Sequence, residues 1–481
     1  MTDRKRDLFE PVVDAEKLNP AFVHMRTSPA SEPARLMAKE VYQEFPNPDG
    51  NFVEQFQTTG YDSRIFELYL YAYLSRSQYR VNRDCEQPDF IVAKEGVTVA
   101  IEATTVNPTQ LENGINSHHL GELTQEELQE KLNNELPIRF GGPLFSKLSK
   151  RYWELEQCRA IPLVFAIEAF HEEGSLYFSD SSLAQYLYGL KQFPDWMEDG
   201  HLVVRSERLQ KHKLGVKLIP SNFFEQPDTE YVSAVIFSNS GTYAKFLRMG
   251  YQAGYHHGNF QMIRSGNCYN PDPDATEPLQ FAYELDDPPI LEGWGQGLVV
   301  LHNPRALFPV PRGYFVDAAE TYIEDGQVKS DVPRFHPYMS QTLQIRLKRG
   351  LIDSPEACKL PIESILECEF NSQKPARHPA TTTLAVEKEW FADRDRIILG
   401  ALLLDRTDDD WVYVVLGRDE MGTFRWIDGE SSIQGRDRAR QRLLATMRRI
   451  LKSGRKVLVL MKSWIFFTLW KSKPSYTNPT L

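Results

Sequence analysis

The 481-residue sequence predicts an α/β fold in which one mixed sheet is flanked by helices, with a small C-terminal α+β module after it. Three observations carry this. Hydrophobic periodicity between residues 62 and 167 follows the order helix, strand, strand, strand, helix, strand. The run Ile161-Pro162-Leu163-Val164-Phe165-Ala166-Ile167 is apolar almost throughout, as expected of a central strand covered on both faces. A Pro-, Lys- and Thr-rich stretch at 372–383 then separates this region from a second set of strand-like runs.

Taken in order, residues 1–50 mix proline, charge and small side chains and are expected to form an N-terminal arm. It holds one amphipathic helix (Ala34, Met37, Ala38, Val41) and ends at the turn Asn47-Pro48-Asp49-Gly50. A domain over 51–371 follows. Ile65, Leu68, Tyr69, Ala72 and Tyr73 recur at helical spacing, and 79–83 reads as a short edge strand. Two further strands contain Phe90-Ile91-Val92-Ala93 and Val99-Ala100-Ile101-Glu102-Ala103-Thr104. A polar stretch, 107–142, has helical character around 124–134. Leu144, Phe145, Leu148, Tyr152 and Leu155 then share one helical face, ahead of the apolar strand at 161–167.

Beyond residue 175, a buried strand is expected over 232–237, a helix over 241–249 and a strand over 294–301, elaborating the same α/β unit. After the 372–383 linker, residues 384–481 show strand-like runs at 396–404, 410–416 and 422–427 and an amphipathic helix at 441–451. This module is expected to act as an accessory interaction domain, for a homodimer or a protein partner.

Composition narrows the class. A hydrophobic share of 41% and a charged share of 25% are those of a soluble globular chain. The net charge of -11 argues against a protein coated in nucleic acid, although a local basic groove is compatible with an acidic total. Cys85, Cys158, Cys268, Cys358 and Cys368 form no CxxC pair, and their odd number suits a reducing compartment. The charged start, Met1-Thr2-Asp3-Arg4-Lys5-Arg6, has no apolar run behind it. The most apolar segment, 457–470, is broken by Lys462 and is shorter than the roughly 20 residues that span a bilayer. A cytoplasmic protein without membrane association is the expectation.

The chemistry-bearing residues lie on the paired strands. Asp89, in Gln87-Pro88-Asp89, and Glu102 fall on neighbouring strands, and Glu67 on the preceding helix adds a third carboxylate. Carboxylates brought together repel, and a divalent cation is the usual means of neutralising them. Glu102 shares a strand face with Thr104, because side chains alternate.

The pattern Pro88-Asp89 followed by Glu102-Ala103-Thr104, after a Glu-bearing helix, resembles the PD-(D/E)XK nuclease superfamily, whose fold is restriction-endonuclease-like. The resemblance covers roughly residues 60–170. It implies that Asp89, Glu102 and Glu67 are ligands of Mg²⁺ or Mn²⁺, and that the substrate is DNA, cleaved in restriction, repair or defence. Thr104 departs from the pattern, which has lysine there. Some members of the superfamily carry that lysine on the next helix, and here Lys147 flanks the apolar face set by Leu144 and Leu148, with Arg151 beside it. Lys150 points nearly opposite to Leu148, and Lys94 has the wrong strand parity relative to Asp89. The catalytic set is therefore expected to be Asp89, Glu102 and Lys147. The rivals are a nuclease-fold binding or scaffold protein that has lost catalysis, and a metal-dependent hydrolase acting on nucleotides.

Other motifs are weaker. His118-His119 and His256-His257 lack a third ligand at metal spacing. Gly293-Trp294-Gly295-Gln296-Gly297 precedes a strand, not a helix, and is expected to be a tight turn. The basic stretch 436–456 is read as a solvated helix face balancing an acidic chain.

Overall fold

The computed structural model describes residues 7–46, 50–108, 124–171, 175–197, 202–255, 260–276, 278–286, 288, 290–346, 384–392, 398–405, 410–418 and 424–452. Both histidine pairs, the 372–383 linker and the apolar segment 457–470 lie outside the described residues. The chain divides into two compact units. The first comprises Met1–Leu279, Glu284–Asp286 and Leu291–Ala357, and the second Gln280–Tyr283, Asp287–Ile290 and Cys358–Leu481.

The first unit is built on an eight-stranded mixed sheet, matching the α/β class the periodicity predicts. Its order is Arg80–Asn82, Phe90–Lys94, Val97–Val106, Leu163–Ala169, Val232–Ser238, Leu298–His302, Ala319–Glu324, Gln327–Asp331. The first three strands form an antiparallel meander. Val97–Val106, Leu163–Ala169 and Val232–Ser238 run parallel, and Leu298–His302 is antiparallel to the last of them. Every residue of Leu163–Ala169 and Val232–Ser238 is buried, which is why their sequences are nearly continuous apolar runs.

Side-chain alternation splits the core into two layers. Val99 and Ile101 pack with Phe66 and Leu70 of helix Tyr61–Arg76, whereas Ala100 and Val106 pack with Leu144 and Leu148 of helix Leu136–Leu148. The two helices therefore cover opposite faces of the sheet. The N-terminal segment expected as an arm is part of the first layer: Phe22 and Met25 of Pro20–Thr27, and Met37 and Val41 of Glu32–Glu44, all belong to it.

Helix Leu136–Leu148 differs from the expected one at both ends. It starts earlier, after a helical turn Gln125–Glu130 and a π-turn Lys131–Glu135, and it stops at Leu148 instead of running on to Leu155. Arg151 adopts a left-handed conformation (φ 53) that redirects the chain into a short 3₁₀ turn, Tyr152–Glu154. Phe145, assigned to the apolar face, is exposed. Between Leu163–Ala169 and Val232–Ser238 the chain inserts helix Ser181–Tyr188 and two hairpins, Leu190–Trp196 with Leu202–Arg208 and Lys211–Leu214 with Lys217–Pro220. Helix Tyr243–Gln252 follows Val232–Ser238 as expected; residues 294–297 form the expected turn, so the strand read over 294–301 begins only at Leu298 and runs to His302.

The second unit contains an antiparallel sheet ordered Leu384–Ala392, Ile398–Asp405, Asp410–Arg418, Phe424–Ile433, with helix Arg436–Lys452 against it. Trp411, Tyr413, Val415 and Ile433 form its core with Ala439, Leu443 and Met447. Among the described residues no helix is long and apolar enough to cross a membrane.

Candidate functional site

Asp89 stands immediately before strand Phe90–Lys94, and the pairing of Phe90 with Ile101 sets it beside Glu102 on Val97–Val106. Two hydrogen bonds lock the pair. The Asp89 backbone N–H donates to Glu102 Oε2 (3.2 Å), and the Ala103 N–H donates to Asp89 Oδ2 (2.7 Å). Each acid is thus oriented by the other strand's backbone, a consequence of register alone.

The strand has Thr104 two residues after Glu102, and the following helix brings Lys147 to that carboxylate. Lys147, in the last turn of Leu136–Leu148, places Nζ 2.5 Å from Glu102 Oε1. Leu144 and Leu148, fully or nearly fully buried, turn this edge of the helix toward the sheet. The other basic candidates point elsewhere. Lys94 Nζ donates to the Ser77 carbonyl (2.9 Å), and Arg151 is an exposed residue paired with Glu154 and Asp228. Lys150 is exposed, its ammonium 5.9 Å from the Tyr152 ring centre.

Tyr152 was not anticipated as a site residue. Its hydroxyl donates to the same Glu102 Oε1 at 2.6 Å, so one carboxylate oxygen receives an ammonium and a phenol together. Burial, and then the Glu102 charge, hold the Tyr152 phenol far above its ordinary pKa, which keeps it a proton donor.

Glu67 comes from the helix on the opposite face of the sheet. It is buried, and both its oxygens are taken: Oε2 by the Arg64 guanidinium and Oε1 by that of Arg83 (2.5 Å). Arg83 lies between Phe45 and Phe90, 4.2 and 4.7 Å from their ring centres. Glu67 is thus paired with two guanidinium groups and Glu102 with the Lys147 ammonium, whereas the Asp89 carboxylate is held by the Ala103 N–H.

Asp89 carries the remaining electrostatic tension. Burial, then the charges of Glu102 and Glu67, raise its pKa to about 7, against the opposing pull of Lys147 and the Ala103 N–H. A carboxyl whose ionisation is resisted by neighbouring carboxylates would gain from a nearby cation. Asp89 and Glu102 are hard oxygen donors held side by side, a donor chemistry that fits Mg²⁺ or Mn²⁺. Glu67, with both oxygens on guanidinium groups, does not present a free ligand. Among the described residues no group of three or more His, Cys, Asp or Glu side chains is placed to hold a metal ion.

Two signals for the residues missed were present in part. Arg64 lies three positions before Glu67, a helical pairing distance. Arg83 closes the edge strand already read at 79–83, but nothing local tied it to Glu67. Comparison with known protein families, curated proteins and solved structures finds no match to this chain.

Proposed function

We propose that the first unit is a restriction-endonuclease-like domain and that the protein is a nuclease cleaving DNA phosphodiester bonds with Mg²⁺ or Mn²⁺. The observation that carries this reading is the Lys147 ammonium 2.5 Å from Glu102, which restores from a helix the cation that Thr104 removes from the strand. The element order supports it as well. Helix Tyr61–Arg76, the three-strand meander, helix Leu136–Leu148 and parallel strand Leu163–Ala169 follow the succession that the resemblance implies.

In this reading Asp89 and Glu102 would hold the cation, and when bound it would supply polarisation of a phosphoryl oxygen and activation of an attacking water. Lys147, partly accessible where its partners are buried, moves from Glu102 to the negative charge that develops on the phosphate oxygens. Asp89 must lose its proton to serve, and its carboxyl is pushed up to about 7 without the cation, so at sub-saturating metal cleavage is expected to fall as the pH drops below neutrality. Glu67 anchors Arg64 and Arg83 and, through its charge, keeps Asp89 hard to ionise.

One observation favours the rival reading of a non-catalytic nucleic-acid or protein scaffold: both oxygens of Glu67 are taken by Arg64 and Arg83, which leaves Asp89 and Glu102 without the third carboxylate ligand expected there. Cleavage of plasmid and linear DNA in Mg²⁺ and in Mn²⁺, wild type against Asp89→Ala, separates the two. Metal-dependent cleavage lost in Asp89→Ala supports the nuclease. No cleavage in any divalent metal, with DNA binding retained, would establish the scaffold.

A further inference from the structure

We propose that Tyr152 is a positioning residue that holds Glu102 Oε1 throughout the cycle, so that Glu102 offers a cation only its other oxygen, Oε2, the one facing Asp89. The inference rests on the nuclease reading and concerns how that site is kept in shape when Lys147 leaves it.

A carboxylate has about four lone-pair directions, two on each oxygen. Among the described residues, Glu102 receives Lys147 and Tyr152 on Oε1 and the Asp89 N–H on Oε2. Oε1 is saturated, and the one remaining direction is on Oε2. The two Oε1 donors are not equivalent. Lys147 is 18% exposed and reaches Glu102 by a long flexible stem, so a substrate phosphate can draw it away.

Tyr152 cannot follow. It is fully buried, its ring meets Phe165 edge-on at 6.3 Å, and the left-handed turn at Arg151 fixes where it enters the core. On the other side Trp153 stacks on Tyr231, with ring centres 4.7 Å apart and planes within 5°. The phenol thus stays when the ammonium departs. Without it, Oε1 would lose both donors at the moment Lys147 engages substrate, and the carboxylate would be free to rotate or to engage the cation through both oxygens.

Tyr152→Phe retains the ring and removes the donor. The test titrates Mn²⁺ into the full-length chain by calorimetry, for wild type, Tyr152→Phe and Lys147→Ala, with the thermal midpoint and near-ultraviolet circular dichroism of each. The expected result is a native-like Tyr152→Phe protein that binds Mn²⁺ about 10-fold more weakly, as loss of a ligand-orienting partner does. Lys147→Ala is expected to stay within about 3-fold of wild type, because Tyr152 still holds Oε1. Infrared difference spectra of the Mn²⁺-bound proteins should show a carboxylate stretching pattern altered in Tyr152→Phe, as expected when Glu102 no longer meets the cation through Oε2 alone, a change that simple loss of packing would not produce. Unchanged Mn²⁺ affinity and an unchanged carboxylate stretching pattern in Tyr152→Phe would overturn the inference while leaving the nuclease reading intact. Wild type that binds no Mn²⁺ would overturn both. Should Tyr152→Phe not fold, Lys147→Ala decides: a 10-fold or greater loss of Mn²⁺ affinity there would show that Tyr152 does not hold Glu102 alone.

Discussion

At the scale of single residues, the site is a problem in charge, and Asp89 is where it is least resolved. Its folded-state pKa, about 7, lies above the ordinary value of 3.8, so the folded protein favours the protonated form. Below pH 4 both folded and unfolded chains carry the proton and no penalty exists. Between pH 4 and 7 the folded chain binds more protons than the unfolded one, and stability falls as pH rises. Asp89→Asn should therefore stabilise the metal-free first unit by about 1–3 kcal/mol at pH 8, with the gain vanishing near pH 4. Urea unfolding at the two pH values measures this, and an Asn variant no more stable than wild type at pH 8 would contradict it. Lys147 carries a separate prediction. Lys147→Ala should lower the rate of DNA cleavage by about 100-fold or more, as removal of a charge-stabilising donor does. Lys150→Ala should leave the rate within about threefold, since that ammonium points to solvent over the Tyr152 ring. Comparable losses in both variants would remove Lys147 from its role.

At the scale of elements, a second buried charge cluster ties the first unit together away from the site. Lys245 and Arg248 of helix Tyr243–Gln252 and Arg264 of strand Phe260–Cys268 converge on Glu292, at 2.7, 2.7 and 3.4 Å. Arg248 and Arg264 also donate to Thr342 and Ser340 of strand Pro337–Arg346. Their combined charge holds the Glu292 carboxyl well below its usual range against the effect of burial. Glu292→Gln would leave buried cations facing one another and should cost about 3–5 kcal/mol in urea unfolding. A loss under about 1 kcal/mol would mean the cluster is solvated.

Element types were legible where periodicity was strong, as in Tyr61–Arg76 and Leu163–Ala169. They were not where local signals misled. The stretch read as polar up to residue 142 holds Pro137, Gly141 and Gly142, and Pro143 follows, residue types that disfavour helix interiors, yet helix Leu136–Leu148 contains all four. Pro137 occupies the first turn, where a missing N–H is harmless, and Gly141 lets the helix approach Ile219 and Tyr186, which a Cβ would meet at 2.8 and 3.0 Å. Conversely, no Gly or Pro announces the break before Tyr152, so the helical wheel gave that residue a packing role and hid its hydroxyl. Lys147 was legible because it lies one turn from Leu144 and next to Leu148, ahead of the break.

At the scale of the whole molecule, the proposed nuclease would have to hold DNA through local cations on an acidic chain. The net charge of -11 opposes approach of a polyanion from most directions. Near the site, Lys147, Lys150 and Arg151 offer positive charge, tempered by Glu154 and Asp228 beside Arg151. The other concentration of basic residues is helix Arg436–Lys452 in the second unit, where Arg436, Arg438, Arg440 and Arg449 are exposed while Leu443 and Met447 face the core. Amphipathicity explains that helix without any ligand, because its apolar stripe packs and its polar face is solvated. The two locations predict different salt dependences. Binding at the site alone, by two or three cations, gives a slope of log affinity against log salt of about −2 to −3. Use of the basic helix as well would steepen the slope to about −5 or beyond. Duplex binding by metal-free Asp89→Ala, measured by fluorescence anisotropy between 50 and 200 mM salt (about a fourfold range), is expected to show the shallow slope. The double variant Arg438→Glu, Arg449→Glu is expected to leave it unchanged. A steep slope that flattens in that variant would move the DNA-binding surface to the second unit and make the C-terminal helix, not the Lys147 edge, the means by which substrate is captured.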